Sequence, residues 1–191
     1  MRSCSGRLAR AQSTVESQAD GPLPTSSLPS PKLVKLSLDA ADPMKVLSQA
    51  TWLDLQGRFP NGVQRKGNVI YFTESQLPNL GQLSAVQIQA DGKAGTPITV
   101  VALSTIPDDF SILADGFAVT YFVTGQVVRL GVNGQVISQF SEGTFTTGTS
   151  QARQAVPPMF SATDLLVTEK GLLGESFTPI GNRLTLVKKT P

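Results

Sequence analysis

The chain of 191 residues contains no histidine. That absence excludes Ser-His-Asp and Cys-His catalysis, histidine-ligated zinc and a histidine proton shuttle. Base chemistry must come from Asp, Glu, Lys, Tyr or a metal-bound water. There is one cysteine, Cys4, in a polar N-terminal stretch, so no internal disulfide can form. Charged residues make up 16% of the chain, below the roughly 25% typical of soluble domains. The net charge of +2 is too small to argue for nucleic acid or an anionic membrane as partner. No apolar run approaches the roughly eighteen residues that span a bilayer. The sequences G-x-S-x-G, G-x-G-x-x-G, Cys-x-x-Cys, N-x-[ST] and the P-loop are also absent.

What the chain has in plenty is Val, Ile, Thr, Phe and Gly, arranged in a passage that recurs at intervals of roughly fifty residues. Val34-Lys35-Leu36-Ser37-Leu38-Asp39 alternates apolar and polar, then passes through Asp42-Pro43 into Met44-Lys45-Val46-Leu47. Val86-Gln87-Ile88-Gln89 turns at Asp91-Gly92 into Ile98-Thr99-Val100-Val101. Val128-Arg129-Leu130 turns at Asn133-Gly134 into Gln135-Val136-Ile137. Each copy reads as strand, tight turn and strand. A hairpin at this period predicts an all-β chain folded as a β-propeller, in which each blade is a four-stranded sheet.

Residues 33–38 and 44–50 read as the outer strands of an incomplete blade, with Trp52-Leu53-Asp54-Leu55 as a link or edge piece. Phe59-Pro60-Asn61-Gly62-Val63 opens a full blade, and Val69-Ile70-Tyr71-Phe72-Thr73 is its second strand. Ile106-Pro107-Asp108-Asp109-Phe110 opens the next, followed by the turn Asp115-Gly116 and the strand Phe117 to Val123. Ser141 to Pro158 reads as a loop, and the last blade starts near Met159-Phe160. It continues through Leu165-Leu166-Val167-Thr168, turns at Glu169-Lys170-Gly171 and ends on Arg183 to Val187. The count is about three and a half blades over residues 32–191, against the four to eight of a closed ring. The open edges invite self-association. The chain thus reads as the back part of a larger propeller. A truncated product, a mis-assigned start and a subunit that closes by pairing are all consistent with it.

Residues 1–31 read as a disordered tail. They lack the apolar segment of a secretory signal, and Arg2, Arg7 and Arg10 among serines only faintly resemble a transit peptide. No segment addresses a compartment.

The repeat places Asn61 and Asp108 equivalently, each after a proline at the start of an innermost strand. Innermost strands line the channel of a propeller. Two oxygen-bearing side chains delivered there by adjacent blades suit a hard cation such as Ca²⁺. Asp109 would add charge beside the first ligand, and Glu74 is a candidate neighbour. The plainer alternative is that Asn-Gly and Pro-Asp are ordinary turn pairs.

Pro60-Asn61-Gly62-Val63 followed by Ile70-Tyr71-Phe72-Thr73-Glu74-Ser75, with Pro107-Asp108-Asp109-Phe110 and Asp115-Gly116 one blade later, resembles the senescence-marker-protein/gluconolactonase/strictosidine-synthase-like propellers. The resemblance covers roughly residues 33–191. It implies a six-bladed propeller with one divalent cation in its channel, Ca²⁺ first among candidates. Asn61 and Asp108 match metal ligands of that family, and Asp108 also matches its candidate general base. The family's glutamate ligand from the first blade, and a further asparagine, have no counterpart here. Asp109 stands where the family has glycine. The Asp-Asp-Phe form resembles fungal members, some of which bind apolar metabolites; Phe72, Phe110, Tyr121, Phe122 and Phe160 are the aromatic candidates for such a pocket. Three functions follow as expectations: a metal-assisted hydrolase of lactones or related esters, a non-catalytic binding module, and a cyclase-like binder of an apolar metabolite. The first and third imply a small-molecule partner, and the second a protein or a second propeller fragment.

Overall fold

The computed structural model describes residues 23–27, 30–76, 80–140, 148–170, 172–173, 179–180 and 183–188. Among them every regular element is a strand. The first sheet holds β1 (Leu23–Ser27), β2 (Ser30–Leu38) and β3 (Val46–Asp54) in that order. The second holds β4 (Phe59–Lys66), β5 (Val69–Gln76), β6 (Leu80–Gln87) and β7 (Ile98–Leu103). The third holds β8 (Phe110–Leu113), β9 (Gly116–Tyr121), β10 (Gln126–Gly131) and β11 (Val136–Phe140). The fourth holds β12 (Gly148–Gln154), β13 (Leu165–Lys170) and, beyond the short pair β14 (Leu172–Leu173) and β15 (Pro179–Ile180), the strand β16 (Arg183–Val187). Glu169 pairs with Arg183 in that sheet, and Leu172 pairs with Ile180 in the separate two-stranded one.

Every neighbouring pair is antiparallel and every sheet is a simple meander. The hairpin turns fall where the Asp-Gly and Asn-Gly pairs predict them. Gly92 and Gly134 take φ of 77° and 83°, the left-handed region that glycine enters without penalty.

Period-two alternation then decides what each strand buries. On β5, Ile70 and Phe72 face the first sheet and join Leu33, Leu55, Val63 and Val86 in one apolar cluster. The intervening Tyr71 faces the third sheet, its ring 5.3 Å from that of Phe117. On β9, Phe117, Val119 and Tyr121 close the gap to the second sheet with Leu83, Phe110 and Leu130. Ala118 on the other face packs with Val127, Ala152 and Val167 against the fourth sheet. The core therefore lies between sheets, one cluster per gap, as in a propeller. The outermost strand β11 is mostly exposed, whereas β9 is buried along its whole length.

Three expectations change. The last blade opens with β12, inside the segment read as a loop, and Met159-Phe160 lies in the connection after it. Trp52 belongs to β3, and its indole N–H donates to the Gly92 carbonyl at 2.9 Å. Leu23–Ser27, within the stretch read as a tail, is the strand β1. Residues 1–22, 141–147 and Gly171, to which the tail, loop and turn readings also applied, lie outside the described residues. Phe72 and Phe110 are fully buried between sheets and Tyr121 nearly so, so these three rings build the core rather than line a pocket.

Candidate functional site

The first strands of the second, third and fourth sheets, β4, β8 and β12, lie side by side. Each brings one half-buried polar side chain to the same place: Asn61 on β4, Asp108 just before β8, and Ser150 on β12. The Asn61 Nδ2 donates to Asp108 Oδ1 at 2.5 Å, across 47 residues of chain. The Ser150 hydroxyl also hydrogen-bonds the Asp108 carboxyl. Burial holds that carboxyl above its ordinary range. The hydrogen bonds from Ser150 and Asn61, and then the charge of Lys170, offset the burial only in part. Asp108 is thus a desolvated carboxylate held mostly by neutral groups.

Two threonines fix this geometry. The buried Thr73 hydroxyl on β5 accepts the Gly62 N–H at 2.8 Å and donates to the Asp108 carbonyl at 2.9 Å. It joins the second sheet to the third at the site itself. The buried Thr120 hydroxyl on β9 accepts the Asp109 N–H at 3.0 Å. Its proton lies between the carbonyls of Asp109, at 2.8 Å, and Ser150, at 3.0 Å, so it reaches the fourth sheet. In both cases threonine and partner N–H are 11 residues apart, one device used twice by the repeat. Gly62 permits the close approach. A Cβ there would stand 3.0 Å from the Asp109 Cα. Gln64 adds a third tie by donating to the Phe110 carbonyl and accepting the Ile112 N–H at 3.3 Å.

The other two predicted neighbours are turned away from this cluster. The Asp109 carboxylate accepts its own chain's Phe110 N–H at 2.7 Å and the Gln151 side-chain amide, so both oxygens serve the fold. Burial raises its pKa as well. Glu74 follows Thr73 on β5 and so points to the opposite face, toward Gln82, Ser84 and Arg58. Asn61 and Asp108 are brought together as the spacing predicts; Asp109 and Glu74 do not join them. Ser150, Thr73 and Thr120 were not singled out by the sequence. The 11-residue interval from strand start to threonine is the signal that finds the two threonines.

The donors of this cluster are one carboxylate, one amide and one hydroxyl, all hard oxygen or amide groups of the kind Ca²⁺ takes. A desolvated carboxylate compensated mainly by neutral partners gains from a cation. On both counts the residues fit one side of a hard-cation site. Ca²⁺ takes six to eight oxygens, and among the described residues no group of three or more His, Cys, Asp or Glu is clustered to supply the remainder.

The meandering sheets, the packing between them and the inner strands side by side define a partial β-propeller. No protein-family model matches the chain, and no curated protein matches it in sequence. Solved structures do resemble it. One is the nidogen/laminin complex, with a TM-score of 0.58 and 12% identity over 78% of this chain and 52% of that one. Another is a calcium-binding protein, regucalcin, from Agrobacterium tumefaciens, with a TM-score of 0.52 and 17% identity over 72% of this chain and 43% of that one. A third is a protein of unknown function from Bacteroides caccae, with a TM-score of 0.50 and 12% identity over 86% and 57%. At these identities the likeness is one of fold, and the chain spans about half the length of these structures.

Proposed function

We propose that the cluster of Asn61, Asp108 and Ser150 is the working end of a divalent-cation-assisted hydrolase acting on lactones or related esters. The observation that carries this reading is the meeting of three blades at one desolvated carboxylate, Asp108, hydrogen-bonded to Asn61 and Ser150. Asn61 and Asp108 would hold the cation, with Ser150 beside them. A bound divalent cation supplies Lewis-acid polarisation of a carbonyl and a lowered pKa for water. Burial raises the Asp108 pKa in the cation-free chain, and Asp108 would serve as ligand or as the base that takes a proton from water. Asn61 and Ser150 orient it. Thr73 and Thr120 keep the three inner strands in register beneath it.

The calcium-binding neighbour and the Asn-Gly and Pro-Asp resemblance favour this reading over a purely structural role for the cluster. The test is hydrolysis of glucono-δ-lactone and aromatic lactones by the purified chain in calcium and in chelator, beside Asp108→Asn. Turnover that needs calcium and disappears in the variant supports the reading. Turnover unchanged by Asp108→Asn, or none with any lactone, overturns it.

A further inference from the structure

A second polar site lies on the other face of β5, in the gap between the first and second sheets. Here a cavity of about 450 Å³ is lined by Leu53, Pro97 and Ile98 and by Arg58, Glu74, Gln82 and Ser84 among others. That volume is within the usual range for small-molecule sites. Glu74 is 2% exposed. Its Oε1 accepts the Ser84 hydroxyl at 2.5 Å and the Gln82 amide, with Arg58 at 3.5 Å. Its Oε2 is buried and has no hydrogen-bond partner among the described residues.

A buried carboxylate oxygen without a donor costs about 1–3 kcal/mol or more, so an unpartnered one in a folded chain calls for a partner. Every contact on Oε1 comes from a donor, and the empty position on Oε2 needs another. The Arg58 guanidinium lines the same cavity, is half exposed and makes no other ion pair among the described residues, which leaves donors open to a ligand. A carboxylate oxygen short of a donor and a guanidinium rich in donors therefore stand together on a largely polar cavity that also carries Leu53, Leu55, Pro97 and Ile98.

We propose that this cavity binds a small zwitterion of amino-acid size. Its ammonium donates to Glu74 Oε2, its carboxylate takes the open donors of Arg58, and an apolar side chain lies against Leu53, Pro97 and Ile98. A cation alone would leave the Arg58 donors not engaged by Glu74 to solvent, and an anion alone would leave Oε2 unsatisfied. Asp54, also on the cavity, already accepts the Gln56 N–H at 2.8 Å and stays at the exposed rim. This site is separate from Asp108 and stands whether or not the chain is a hydrolase.

The test is calorimetric titration of the full chain with L-leucine, 3-methylbutylamine and 4-methylpentanoate, the last two lacking one charge each. L-leucine should bind, and each analogue should bind at least about tenfold more weakly, the loss of one charge-assisted hydrogen bond. Glu74→Gln keeps the acceptor for Ser84 and Gln82 and should weaken L-leucine by a similar factor. Arg58→Gln, at a half-exposed position that leaves the core untouched, should do the same and stands in if Glu74→Gln fails to fold. No binding of L-leucine, equal binding of either analogue, or affinity unchanged in both variants overturns the proposal.

Discussion

Replacing Thr73 by Val removes a hydroxyl and keeps a side chain of nearly the same shape in a fully buried position. The wild-type hydroxyl accepts the Gly62 N–H at 2.8 Å and donates to the Asp108 carbonyl at 2.9 Å. Two hydrogen bonds at about 1 kcal/mol each set a loss near 2 kcal/mol. Part of it is recovered, because the Gly62 N–H also reaches the Asp108 carbonyl at 3.2 Å and neither group is left orphaned. The expected destabilisation is about 1–2 kcal/mol, which for a chain of this size lowers the melting temperature by roughly 2–8 °C. Guanidinium unfolding followed by far-ultraviolet circular dichroism measures it. Thr73→Ser is the control. It keeps the hydroxyl, gives up one methyl and should cost about 0.8 kcal/mol. Thr73→Val within about 0.3 kcal/mol of wild type, or Thr73→Ser costing more than Thr73→Val, would refute the claim that this hydroxyl ties the second sheet to the third.

Burial raises both Asp108 and Asp109, so each carboxyl binds its proton more tightly in the folded chain than in the unfolded one. Their contribution to stability is therefore full below the ordinary value of 3.8 and is lost as pH rises through the raised folded value. Asp108→Asn keeps an acceptor for Asn61, removes one buried charge and relieves its repulsion on Asp109; denaturation midpoints across about pH 4 to 7 should flatten, with a gain of about 1 kcal/mol at the upper end. A variant curve parallel to wild type would show that Asp108 is not desolvated. Gly62→Ala puts a Cβ 3.0 Å from both the Asp109 Cα and its carboxylate carbon, and should destabilise by about 1–3 kcal/mol. An unchanged midpoint would mean that the inner strands are not in close approach there.

Much of the fold is legible because the hairpins announce themselves. Asp91-Gly92 and Asn133-Gly134 demand positive φ, and the flanking residues alternate in the period of a sheet with one solvent-facing side. β12 escapes this reading. Gly148-Thr149-Ser150-Gln151-Ala152-Arg153-Gln154 has little apolar character, and of its residues only Thr149 and Ala152 are buried. Ser150 was hidden with it. Asn61 and Asp108 could be found because the repeat places them after matching prolines. Glu74 misleads because Pro60 pairs with it across the ladder, so it lies near Asn61 along the strands. Only the alternation of β5, with Thr73 toward the third sheet and Glu74 toward the first, shows that the two face different gaps. The bulge between Pro60 and Val63 lies in β4, around Asn61-Gly62, and leaves the alternation of β5 intact.

The central claim is that Asn61 and Asp108 of adjoining blades hold a hard cation. Calorimetric titration of calcium into the metal-free chain tests it most directly, beside Asp108→Asn, which retains the hydrogen bond from Asn61 and removes the charge. The account predicts one weak site per chain, at least about tenfold weaker in the variant, because a single carboxylate carries the only formal charge among the donors. Calcium affinity that is absent from wild type, or the same in both proteins, would contradict it.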